Sequence, residues 1–287
     1  MKPDDLALTP TPEVGERLSQ LLAVIERLRS PEGCPWDREQ TSHSLIPYLL
    51  EETYELIESI EGEDHQALKE ELGDLLLHVL FQGVIAETEG WFTLEECISG
   101  LTAKLIDRHP HVFGDAKAEG AFHAKQNWEA AKQREKERSS RMDGVPRSLP
   151  ALTRARRIQE KASHVGFDWN HMEPVWDKVQ EELDELRNAH LAQDNDAIEE
   201  ELGDILFSLV NLGRFLGINA EGALRRTIAK FEYRFRHIER ELREQGKAPE
   251  EATLEEMDEI WNRYREKNLP EREMPASGSG PSVEEIQ

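Results

Sequence analysis

Glu182 and Glu185 stand three residues apart, and so do Glu201 and Asp204. The first half of the chain holds the same set as Glu52 with Glu55 and Glu71 with Asp74. Three-residue spacing on a helix puts each pair on one face. The short polar stretches between the pairs, EGEDHQ and AQDND, read as helix–helix turns. Each half is therefore expected to form a helical hairpin whose four carboxylates face one another. Such a cluster repels itself strongly unless protons or cations neutralise it. Hard oxygen donors without Cys or His suit Mg²⁺, with Mn²⁺ as a possible substitute. A di-iron site on a helical bundle would use Glu-x-x-His pairs, and neither half has them. A lone acidic pair at helical spacing usually marks only a solvated face. Here EELGD recurs at Glu70–Asp74 and Glu200–Asp204, each time opening an apolar run, LLLHVLF or ILFSLVNL, so its helix is expected to be largely buried. Gly73 and Gly203 inside the motif suggest close approach of a ligand or a helix to the backbone.

The elements that must position these acids are helices. Leu18, Leu21, Leu22, Ile25 and Leu28 recur at three and four, as do the apolar residues of 46–60, 72–85 and 94–106. Alternating strand patterns are nearly absent. A shift of 130 residues places 51–79 on 181–209 without a gap, and 12 of the 29 positions are identical. GCPWD at Gly33–Asp37 answers GFDWN at Gly166–Asn170, Lys104 and Arg108 answer Lys230 and Arg234, and Trp128 precedes Trp261 as a further pair. The chain is a tandem duplication of one helical unit. The expected division is a first repeat at 1–137, a Ser/Pro/Gly-rich linker at 138–150, a second repeat at 151–270 and a disordered tail at 271–287.

Composition narrows the partners. The formal charge is 35 − 59 = −24 over 287 residues. So acidic a chain is repelled by nucleic-acid phosphates and anionic membranes and suits divalent cations. No apolar run reaches membrane-spanning length, and the start, MKPDDLALTPTPEV, lacks the pattern of a signal peptide. Two cysteines, Cys34 and Cys97, form no metal-type pair and fit a reducing cytoplasm.

E-E-x-x-E followed by E-x-x-D on the next helix resembles the MazG-type nucleoside triphosphate pyrophosphohydrolases, of the all-α NTP pyrophosphatase superfamily. The resemblance spans about 15–270 and includes the duplication, GCPWD and RHPHVFGD at Arg108–Asp115. It implies an all-α fold and the reaction NTP + H₂O → NMP + PPi on ribo- or deoxyribonucleotides. It implies Mg²⁺ on Glu182, Glu185, Glu201 and Asp204, and the same for Glu52, Glu55, Glu71 and Asp74. It places Glu181 or Glu200 beside the metal or at the attacking water, Lys230 and Arg234 on the phosphates, Trp261 on the nucleotide, and Lys178 among the nucleotide contacts. In two-repeat members the second repeat is typically catalytic. Here the first keeps every acid, but its Lys104–Arg108 pair runs into His109-Pro110, where a helix cannot simply continue. His109 and His111 are expected to pack a turn rather than hold metal. An acid-lined cleft needs a second wall, so a homodimer is expected. The alternatives are an acidic helical module that binds a protein and a non-catalytic nucleotide or metal sensor.

Overall fold

The computed structural model describes residues 12–114, 116, 120, 123–124, 127–128 and 140–265. The expected tail at 271–287 lies outside them. All regular structure among the described residues is helical. No helix among them is long and apolar enough to cross a membrane. They form two compact units, the first from 12–59 and 64–128, the second from 60–63 and 140–265.

The first unit carries α1 (Pro12–Arg29), α2 (Pro35–Glu39), α3 (Ile46–Glu61), α4 (His65–Thr88), α5 (Leu94–Arg108) and α6 (Pro110–Phe113). The apolar stripe of α1 delivers Ile25, which packs with Leu45, Leu80, Phe81, Val84 and Ile85, while Leu21, Leu22 and Leu94 flank the cluster. Arg29 ties the α1–α2 corner by donating to the carbonyls of Asp37 (2.7 Å) and Gln40 (3.1 Å). Its guanidinium lies 5.1 Å from the Phe81 ring centroid.

The second unit carries α7 (Ala151–Ser163), α8 (Glu173–Ala192), α9 (Asn195–Phe215), α10 (Ala220–Glu244), a 3₁₀ turn (Pro249–Glu251) and α11 (Leu254–Arg265). Helices α8 and α9 pack along each other, α7 lies against α9 and α10, and α11 closes onto α10. One apolar cluster joins Val175 and Val179 of α8 to Leu212 and Phe215 of α9. Another joins Ile238 and Leu242 of α10 to Ile260 of α11, with Trp261 and Tyr264 against it. Residues 140–150, read from sequence as linker, are turns held to this unit. Lys161 Nζ donates to the carbonyls of Arg141 (3.1 Å) and Asp143 (3.2 Å).

The hairpin turns are built alike. Glu63 (φ 52°) and Gln193 (φ 57°) each take a left-handed conformation, 130 residues apart. The next residue in each case is an aspartate that caps the second helix. Asp64 accepts from the amides of Gln66 and Ala67, and Asp194 accepts from that of Ala197. Neither left-handed residue is a glycine, so the reversal relies on these caps and on the packing of the helices it joins.

The second helix of each hairpin departs from its expected burial. Its C-terminal half is buried, at Leu80–Phe81 and Gly83–Ala86 in α4 and at Val210–Leu212 in α9. Its N-terminal half is not. Leu72, Leu76 and Val79 are exposed, and so are their counterparts Leu202, Leu206 and Leu209. The acids and the leucines of this half alternate around the helix. The acids turn to the partner helix, so each unit leaves the leucine stripe uncovered. We expect this stripe to bury itself in a homodimer. Leu206→Glu should shift the mass seen by light scattering at micromolar concentration toward that of one chain. A monomeric mass for the unaltered protein would overturn the expectation.

Candidate metal centre

Because α8 and α9 are antiparallel neighbours joined by a tight capped turn, residues one helical turn apart on each meet across the hairpin. Glu182 of α8 and Glu201 and Asp204 of α9 bring one carboxylate oxygen each within 4.8 Å of one another. Glu182 is 4% exposed. Glu185, one turn further along α8, is not in that closest group but belongs to the same field. Its carboxyl is pushed up first by a hydrogen bond with Glu182, then by loss of water and by the charges of Glu182 and Glu181. Glu201 is pushed up by loss of water and by the negative charges of Glu185, Glu182 and Asp204.

A half-buried lysine answers this charge. Lys178 Nζ lies 2.7 Å from Glu182 and 3.1 Å from Glu181. These hydrogen bonds hold the ammonium protonated well above its usual range. Glu200, the other candidate for water activation, is exposed on α9.

The first unit repeats the arrangement with different emphasis. Glu52, Glu55 and Glu71 bring their oxygens within 4.8 Å, with Glu52 and Glu71 half-buried and Glu55 exposed. Asp74 lies close enough that its charge, after loss of water, helps push the Glu52 carboxyl up. Glu71 rises for similar reasons, burial first and then Glu55 and Asp74. Position 48, the counterpart of Lys178, is Tyr48, so this cluster has no lysine one turn before Glu52. His78 stands where α9 has Ser208. It is buried, and its imidazole is held below the usual range by burial, against the pull of Asp74.

The basic residues follow the break seen in the sequence. In the second unit α10 runs unbroken through Lys230 and Arg234. In the first, α5 ends at Arg108 and α6 restarts at Pro110, with His109 capping between them. His109 Nδ1 pairs with the Leu105 carbonyl at 2.7 Å, and its ring packs 5.7 Å from that of His111. This is the turn packing expected of the two histidines. Both units nevertheless place an arginine over a tryptophan, Arg108 at 5.3 Å from Trp128 and Arg234 at 5.2 Å from Trp261. Trp261 also touches Phe231, at 5.2 Å, and packs on the α10–α11 core. Arg234 and Trp261 thus lie together, but neither they nor Lys230 line the cavity beside the carboxylates.

That cavity has a volume of about 510 Å³ and reaches Lys178, Glu182 and Asp204. Sequence reasoning missed it, because most of its walls come from α7, the 165–172 loop and the stretch of α9 beyond Asp204, which carry no acid motif of their own. The glycines also differ from expectation. A Cβ built on Gly73 or Gly203 meets nothing within 4 Å, so no helix of the same unit packs against either.

The family model for the MazG nucleotide pyrophosphohydrolase domain matches residues 40–113 and again 172–239. The chain is 48% identical over 255 residues to the nucleoside triphosphate pyrophosphohydrolase/pyrophosphatase MazG of Thermotoga maritima, covering 88% of this chain and 97% of that one. The chain belongs to the MazG family. It is also 44% identical over 259 residues to the nucleoside triphosphate pyrophosphohydrolase of Escherichia coli K12, covering 88% of this chain and 98% of the relative. A crystal structure of a MazG-related protein from Thermotoga maritima aligns with 40% of the chain and 97% of its own length, at 30% identity and a TM-score of 0.35. The two matched segments of the family model coincide with the two hairpins and the helix that follows each, so the tandem duplication is a duplication of the MazG domain.

Proposed function

We propose that the chain hydrolyses nucleoside triphosphates to the monophosphate and pyrophosphate, with the second repeat as the working site. The observation that carries this reading is the group of Glu182, Glu201 and Asp204, drawn within 4.8 Å beside a cavity in a MazG-family domain. Water adds to the α-phosphorus, the bond to the bridging oxygen breaks, and pyrophosphate leaves. A donor set made only of carboxylates fits a hard divalent cation, Mg²⁺ first and Mn²⁺ as substitute. Such an ion supplies Lewis-acid charge to the phosphoryl group and favours ionisation of water.

The chain's own residues do the rest. Glu182, Glu185, Glu201 and Asp204 hold the cation. Glu181 or Glu200 accepts a proton from water at its carboxylate oxygen. Lys178 screens Glu182 in the resting protein and can turn its ammonium to a phosphate when cations take over that screening. Lys230 and Arg234 meet charge on the leaving pyrophosphate. The packing of Trp261 supports a role in keeping Arg234 in place, beside its proposed contact with the nucleotide. Two cysteines with free thiols fit the cytoplasm as the site of action. The test is to incubate the pure protein with each NTP and Mg²⁺ and identify products. NMP and PPi are expected. NDP with orthophosphate would reject the cleavage position, and no product would favour a protein-binding or sensing role.

A further inference from the structure

The cavity of the second unit has the chemistry of a base site. Met142, Ile158, Ala162 and Phe207 give it apolar walls, and Phe167 and Trp169 stand at its side. Phe167 is 80% exposed, so packing among the described residues does not account for an aromatic there. The loop that carries both aromatics is latched. Asp168 accepts two hydrogen bonds from Arg214, at 2.8 and 2.6 Å. Arg214 also donates to Asn211 Oδ1 from Nε (3.0 Å) and Nη2 (2.8 Å). Asn211 is 6% exposed and lines the cavity. With its oxygen taken, it can offer only its NH₂ end.

Gln159 is the deciding residue. It lines the same cavity and is 7% exposed. Its Nε2 donates to the Phe207 carbonyl at 2.8 Å, which fixes the amide's orientation. Its Oε1 is buried and has no hydrogen-bond partner among the described residues. A buried acceptor left alone is costly, and such groups are normally satisfied. The cavity therefore presents an acceptor that needs an N–H, a nearby donor, and aromatic faces that can stack on a flat ring. Its size is in the range of small-molecule sites. It ends at Lys178, Glu182 and Asp204, where the triphosphate would meet cations.

We propose that this cavity holds the nucleobase of the triphosphate, with Gln159 Oε1 accepting from a base N–H and Phe167 and Trp169 against the ring, and that the first repeat has no such site. The inference rests on the pyrophosphohydrolase reading and names its substrate pocket. Gln159, Phe167 and Trp169 lie outside the segments matched by the family model. The 130-residue shift supplies the second half. It places Phe81 on Asn211 and Val84 on Arg214. Phe81 and Val84 are buried in the first unit's core beside Ile25 and Leu45, with Arg29 over the Phe81 ring. The helix face that recognises a base in α9 is spent on packing in α4. The first repeat keeps carboxylates and loses the room for a base.

The test measures PPi release from the four NTPs and from ribose 5-triphosphate, which has no base. Gln159→Met, Phe167→Ala and Asn211→Phe are compared with the unaltered protein, each checked for folding by thermal melt. Gln159→Met should raise KM for NTPs about tenfold or more, since a bound N–H then faces no acceptor. Phe167→Ala, at an exposed position that folding does not need, should raise it severalfold. Asn211→Phe should bring the KM of every NTP to that of ribose triphosphate measured on the same variant. If folded Gln159→Met and Phe167→Ala keep the unaltered KM for all four NTPs, the base pocket is wrong while the reaction stands. If the unaltered protein releases no PPi from any NTP, the reaction reading falls. Calorimetry with a non-hydrolysable ATP analogue then decides the pocket. Weaker binding by Gln159→Met supports it, and equal or no binding by both overturns it.

Discussion

Glu201→Gln is expected to lower PPi release at least about a hundredfold, because even residues that only support metal ligands typically cost 10–100-fold. Glu71→Gln, its counterpart 130 residues earlier, should leave most of the rate. Each swap removes one charge at nearly constant shape. Each residue sits in a three-carboxylate group of the same 4.8 Å span, so the geometry of the acids does not distinguish them. What differs lies around the acids. The second group has Lys178 within reach of its buried Glu182, and a cavity opens beside it. The first has Tyr48 at the lysine's place. Lys230 and Arg234 lie within α10, which runs on beyond them, whereas α5 carries Lys104 and Arg108 at the same spacing but stops at Arg108. Ligands alone do not make a hydrolase, since positioning the substrate supplies much of the rate. The Arg108–Trp128 pair argues the other way, because it reproduces Arg234–Trp261 in the first unit. The assay is PPi release with folding checked by thermal melt. If Glu71→Gln abolishes activity and Glu201→Gln spares it, the assignment is reversed. If both halve the rate, both repeats work.

The acids were legible in the sequence because their constraint is local. Spacing on a helix is set by 3.6 residues per turn, and a hairpin turn of a few polar residues fixes which helix faces which. The duplication made the signal stronger by repeating it, down to Asp64 and Asp194 at the caps. The cavity was not legible. Gln159, Asp168 and Asn211 come from three elements, and only packing brings them together. Nothing in their spacing marks them, although the change from Phe81 and Val84 to Asn211 and Arg214 between otherwise similar helices was visible as polarity entering a core face. The exposed Leu202–Leu206–Leu209 stripe was misread as buried because periodicity shows that a face is apolar, not that this chain covers it. The meaning of Gly73 and Gly203 was likewise hidden. A glycine in a helix reads as close packing, and here each faces open space within its own unit.

Adding Mg²⁺ to the chelator-treated protein, with no nucleotide present, is expected to raise its melting temperature by about 5 °C or more at concentrations near a hundred times the dissociation constant. An ion that binds the folded state alone stabilises it by about 2.7 kcal/mol at that ratio, and a chain of this size shifts a few degrees per kcal/mol. The cause is visible in the two carboxylate groups. Glu52, Glu71 and Glu201 are pushed up by loss of water and then by like charge, and Glu185 by its hydrogen bond with Glu182 and then by loss of water and like charge, so the metal-free protein carries unrelieved like charge that unfolding would disperse. A divalent ion removes that penalty. Chelation should also abolish PPi release, with Mg²⁺ or Mn²⁺ restoring it. That loss by itself decides little, because the triphosphate substrate travels with Mg²⁺ of its own and EDTA would strip both. The melt without nucleotide isolates the ion held by the protein. Glu201→Gln and Glu71→Gln divide the signal between the repeats. Each should remove part of the Mg²⁺-dependent shift, and the double variant should remove most of it, while only Glu201→Gln loses the reaction. A shift that survives in the double variant would place the ion elsewhere, and the absence of any shift in the unaltered protein would mean that the acids bind metal only as a complex with the nucleotide.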